Sequence, residues 1–166
     1  MSGEEVHFEK ALEGVLNCYF RDGKTEMIQK LGIDSSKVSW YANYLPYGLE
    51  GKEIDYMVME SEDKINVSKI SVIELMKGVI DEDHIDRCLL YSKWVADSLA
   101  NGNSIVRPLL ICSEKSLTHK KGINSNAIKK AIVELPRKYK FKEIEIFTYV
   151  GTKEGIEFKK FEAKNE

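Results

Sequence analysis

Between Val38 and Leu75 the apolar residues of this chain alternate or run together, whereas from Asp81 to Leu99 they recur at every third or fourth position. A period of two belongs to strands and one near 3.6 to a helix, so this switch limits the possible folds more than any other feature. Val38, Trp40 and Ala42 alternate with polar neighbours, and the runs Glu53 to Met59 and Ile70 to Leu75 are rich in β-branched and long apolar residues. Three strands are predicted, joined across LPYGLEGK and ESEDKINVSK, which hold the Gly, Pro, Asn and Asp of hairpin connections. Ile85, Cys88, Leu89, Val95 and Leu99 then line one face of a helix that leaves through Asn101-Gly-Asn103.

The flanks extend the pattern. Val6, Leu12, Val15, Leu16 and Tyr19 predict a helix over 4–20, and Met27, Ile28 and Leu31 a short one over 25–31. After the central helix come a buried strand, Ile105 to Cys112, and a helix from Ser125 to Leu135 that Pro136 ends. Strands over 143–150 and 155–161 close the chain around Gly151-Thr-Lys-Glu-Gly155. Three neighbouring strands followed by a helical crossover imply an α/β fold, a mixed sheet with helices on its faces. With 166 residues the expectation is a single domain over 1–166.

Composition narrows the setting. With 43% hydrophobic and 31% charged residues, the chain has the make-up of a globular protein. No apolar run approaches the roughly 20 residues of a membrane span, and the opening MSGEEVHFEK is acidic where a secretion signal is basic and then apolar. A cytoplasmic protein with no membrane partner is expected. Cys18, Cys88 and Cys112 are too scattered for a disulfide framework or a zinc cluster and are read as small core residues. The formal charge of -2 hides a strong asymmetry, since residues 115–142 hold nine Lys and Arg against Glu134 alone. A polyanion would prefer that stretch, with Lys120, Lys121, Lys129 and Lys130 as candidate contacts; the plain alternative is a solvated helix face.

Two acids stand inside predicted strands, Asp55 in GKEIDYMV and Glu74 in SVIELMKG. Desolvating a carboxylate without a partner costs several kcal/mol, so each needs a polar cleft, a cation or a hydrogen-bond donor. If the strands pair, the two acids can converge, and a hard divalent cation such as Mg2+ or Mn2+ would remove their repulsion. The structural alternatives are an Asp55 that accepts from a hairpin turn and a Glu74 that pairs with Arg87. Trp40, Tyr44, Tyr47 and Trp94 suit base stacking or the core equally.

At EIDYMV, SKISVIELMKG, HIDRCLLYSKWV and VRPLLICSE the chain resembles the PD-(D/E)XK superfamily, most closely its NucS and RecB-like groups. The resemblance implies a restriction-endonuclease-like fold and hydrolysis of DNA phosphodiester bonds. It also implies an Mg2+ or Mn2+ ion held by Asp55, Glu74, the Leu75 backbone and Glu9, with Lys77 or Arg87 steadying the phosphate. DNA in duplex, single-stranded or branched form is the implied partner, and a homodimer is compatible with it. Two departures count against turnover. The family's lysine position, two residues after the Glu, is Met76, and Lys77 should point to the opposite face unless the strand ends early. Arg87 replaces the family's helix Gln. The alternative is therefore a catalytically impaired relative that binds nucleic acid or serves in assembly.

Overall fold

The computed structural model describes residues 8–47, 52–63, 65–153 and 155–162, with side chains from residue 11 onward. Leu12 and Leu16 sit four residues apart on α1 (Phe8–Arg21), and both are fully buried. Gly23, at φ +66°, turns the chain into α2 (Thr25–Lys30). The strands are β1 (Val38–Tyr47), β2 (Lys52–Ser61) and β3 (Val67–Leu75), followed by α3 (Glu82–Ser98) and β4 (Val106–Ser113). A short 3-10 turn over Glu114–Leu117 leads to α4 (Asn126–Lys138), then β5 (Glu145–Thr152) and β6 (Gly155–Phe161).

Among the described residues six strands form one sheet in the order β1-β2-β3-β4-β5-β6. β1, β2 and β3 make an antiparallel meander, β4 and β5 run parallel to β3, and β6 returns antiparallel. The two parallel connections, through α3 and α4, step the same way along the sheet. Right-handed crossovers stepping the same way place their helices on the same face. One apolar layer accordingly joins α3 and α4 to Ile70, Val72 and Leu110; the other joins α1 and α2 to Ile73, Leu109 and Phe147.

Three expectations need correction. Cys18 is exposed, because its place on α1 lies off the Leu12–Leu16 stripe, while Cys88 and Cys112 are core residues as expected. β1 runs on to Tyr47 and takes in the first three of the eight residues of the expected hairpin connection; residues 48–51 lie outside the described residues. Pro136 does not end α4, which continues to Lys138. A proline loses the hydrogen bond of its own N–H and crowds the carbonyl four residues back, but it sits here in the last turn, and the helix closes beyond it as Tyr139 and Phe141 N–H donate to the Pro136 carbonyl. Among the described residues no helix is long and apolar enough to cross a membrane.

Candidate functional site

In a regular strand, residues two apart share a face. β2 breaks that rule at Asp55: Tyr56 and Val58 belong to the α1 layer, whereas Ile54 belongs to the α3 layer. β1 breaks it opposite, where Tyr41 packs in the α1 layer and Leu45 and Tyr47 in the α3 layer. Register is kept across the break, Asn43 pairing with Tyr56 and Leu45 with Ile54. The left-handed Tyr44, at φ 53°, lies between and turns the strand over.

This twist brings Asp55 to the end of the β2–β3 ladder. The β2–β3 ladder stops at Tyr56 and Ile73, which would strand the next inward N–H of β3, that of Leu75. Asp55 Oδ2 accepts it at 2.8 Å. One partner of Asp55 is therefore a strand N–H that the end of the ladder would otherwise leave unpaired.

Glu74 continues the same register opposite Asp55 and is 1% exposed. Arg87 reaches down from α3, donating Nε to Glu74 Oε1 at 2.5 Å, with Nη2 on the same oxygen. The ion pair expected as the structural alternative is present. Arg87 itself keeps 43% of its side chain exposed. Burial works against the guanidinium charge, but the charge and hydrogen bond of Glu74 outweigh it and, with help from Asp55, hold the Arg87 pKa above its ordinary value.

The two carboxylates act on the same stretch of α3. Burial and then Glu74 push the Cys88 thiol up, with Asp55 adding to the effect, and the Tyr91 phenol rises for the same reasons in the same order. Tyr47 packs against both Tyr91 and Trp94, at ring distances of 4.8 Å and 5.6 Å, so Tyr47 and Trp94 serve packing. Trp40 and Tyr44 remain exposed.

β3 ends at Leu75, early enough to release Lys77 from strand geometry. Met76 nevertheless turns into the α3 layer, 7% exposed. The Lys77 side chain is exposed, and its carbonyl accepts from the Tyr149 hydroxyl at 3.0 Å. Glu9 falls in the first turn of α1, and its side chain lies outside the described residues. One turn later stands an acid that sequence reasoning missed. Glu13 is 4% exposed, and its Oε2 has no hydrogen-bond partner. A hydrogen bond to Glu13, then burial and the charges of Glu13 and Asp55, push the Tyr44 phenol up to about 12. The signal was available, since Glu13 is three residues before Leu16 and so borders the apolar stripe.

The residues fit a resident divalent cation poorly. Among the described residues no three His, Cys, Asp or Glu side chains gather with ligating geometry, and a guanidinium already neutralises Glu74. The basic run starts close by. The turn at Glu114–Leu117 is tied to the segment after Lys77, with Ile80 N–H donating to Ser116 Oγ at 3.0 Å and Ser113 N–H to the Gly78 carbonyl at 3.3 Å. Lys120, Lys121, Lys129 and Lys130 are exposed, and Lys138 meets Asp86, the neighbour of Arg87, at 3.2 Å. No family model matches the chain, and no curated protein or solved structure matches it either.

Proposed function

We propose that this protein is a nucleic-acid-binding module built on a nuclease-like sheet, with Arg87 standing where a hydrolytic enzyme of this pattern would hold its cation. The observation that carries the reading is the Glu74–Arg87 pair beside a buried Met76. A guanidinium cannot give up its proton at working pH and so cannot activate water. It has five N–H donors, and those not turned to Glu74 are available to phosphate oxygens on the exposed side. The lysines beyond Ser113 extend this positive surface along the backbone of a nucleic acid.

A second reading, metal-dependent DNA hydrolysis, is favoured by one observation: three acids, Asp55, Glu74 and the buried Glu13, lie around one end of the sheet. One set of assays separates the two. Labelled duplex, single-stranded and four-way-junction DNA are titrated with protein at several salt concentrations, with and without Mn2+. Binding without cleavage is expected. Changing Lys120, Lys121, Lys129 and Lys130 to Gln should flatten the logarithmic salt slope by about 0.9 for each phosphate that is no longer neutralised. Cleavage by the parent with Mn2+, abolished in folded Asp55→Ala and Glu74→Ala variants, would replace the binding reading with the hydrolytic one. Cleavage gained only on Met76→Lys would support the binding reading.

A further inference from the structure

A residue in the left-handed region is uncommon unless it is glycine, asparagine or aspartate, and rarer still when its side chain is bulky. Tyr44 stands there, at φ 53°. Such a strained backbone persists only where its surroundings fix it, and it gathers at sites of function. At Tyr44 part of that fixing is visible. Its hydroxyl bonds to Glu13, a buried side chain on α1, so the tip of the phenol is anchored to the fold. The ring stays 42% exposed, and among the described residues no other aromatic stacks on it. Tyr44 therefore presents an anchored and open aromatic face.

A short chain of contacts leads from Tyr44 to the open arginine. Between the pairs Asn43–Tyr56 and Leu45–Ile54, Tyr44 stands opposite Asp55. Asp55 binds the Leu75 N–H, and the adjoining Glu74 holds Arg87. Two strand spacings of about 4.8 Å separate β1 from β3, a distance that a few nucleotides of extended strand cover. The charges around the ring sort the parts of a nucleotide. Glu13, Asp55 and Glu53 all act on the Tyr44 phenol. Carboxylates turn phosphates away, so the backbone of a bound strand belongs at Arg87 and the exposed lysines, and the ring is left to a base. Every base has a face that can stack on an aromatic side chain. Within a duplex those faces are covered by neighbouring bases, whereas an unpaired base can be splayed out.

We propose that Tyr44 is the stacking platform for an unpaired base of a nucleic acid whose backbone lies on Arg87, and that the protein selects single-stranded over duplex segments. This inference rests on the nucleic-acid-binding reading and narrows it to one substrate class. In the test, the full chain is titrated with single-stranded DNA carrying a fluorescent purine, whose emission drops on stacking, and with the duplex of the same sequence. Tighter binding of the single strand is expected, with a drop in emission. Tyr44→Asn suits the left-handed backbone and removes the ring. It should weaken single-strand binding by about 5- to 150-fold, the range that stacking of one base covers, and leave duplex binding unchanged. Tyr44→Trp should keep both the affinity and the drop in emission. Equal binding of the two forms, or a folded Tyr44→Asn that holds the single strand as the parent does, would overturn the proposal and leave nucleic-acid binding standing. Binding of neither form would overturn both together. Circular dichroism checks the fold of each variant; if Tyr44→Asn unfolds, an unchanged emission of the parent on binding the single strand overturns the proposal and a drop supports it.

Discussion

Two arginine–glutamate pairs sit at opposite ends of the parallel strands, and only one of them is enclosed. Arg107 and Glu145 are 14% and 15% exposed. Arg107 also donates to the Leu31 carbonyl at 2.6 Å, lies 5.9 Å from the Phe147 ring and presses on Gly32, where a Cβ would meet Nη2 at 2.8 Å. Every side of that guanidinium holds the fold together, binding the end of α2 to the sheet. Arg87 has one protein carboxylate below it and solvent above. The same residue types thus serve as a clamp at one end and as an open contact at the other, and the number of partners distinguishes the two.

The largest effect should come from Arg107→Ala. Removing one member of an enclosed pair leaves Glu145 to Lys160 alone and the Leu31 carbonyl without its donor, at about 3 to 5 kcal/mol, read from denaturant midpoints. Arg87→Ala should cost less, about 2 to 3 kcal/mol, because solvent already screens that side chain, and should weaken nucleic-acid binding where Arg107→Ala does not. Equal costs in both variants would erase the distinction between clamp and contact.

Acid should sharpen the contrast. Burial raises the Glu145 pKa, but the hydrogen bonds and charges of Arg107 and Lys160 outweigh it and hold the value below that of a free carboxylate. A group depressed in the folded state contributes stability that is complete above its unfolded pKa, near 4.3, and that disappears as pH falls through the folded value. Stability should therefore fall below about pH 4.3 in the parent and fall less steeply in Glu145→Gln. The smallest effect concerns Tyr44. Glu13→Gln removes the charge that helps hold its phenol at about 12, so the Tyr44 titration, followed by ring NMR, should move toward the usual value of about 10.

Much of the fold is legible in periodicity and apolar runs, because α3 and the strands β3 to β5 bury residues as their geometry demands. What escapes it depends on local exceptions. The overturned pleat at Tyr44 and Asp55 is invisible to a period of two, since neither residue is a glycine or proline that would mark a turn. Pro136 reads as a stop because the rule weighs the missing hydrogen bond and not the two donors that take up its carbonyl. Asp55, Glu74 and Arg87 are legible as acids and a base needing partners. The Glu74–Arg87 pair is legible among the alternatives, whereas the Leu75 N–H as a partner of Asp55 is not, because it depends on which N–H the end of a ladder strands. Glu13 escapes notice because a helix-surface carboxylate is the commoner meaning of an acid beside an apolar stripe.

The placement of the three cysteines makes the molecule its own reporter. Cys18 is exposed, whereas Cys88 lies fully buried on α3 in the residue next to Arg87, and Cys112 is enclosed on β4. Thiol reagents attack thiolates that they can reach. One fast-labelling thiol and two slow ones should be counted in the native protein, and the modification rate of Cys88 then clocks how often the α3 layer lifts from the sheet. A ligand seated over Arg87 should slow that clock without touching the sulfur.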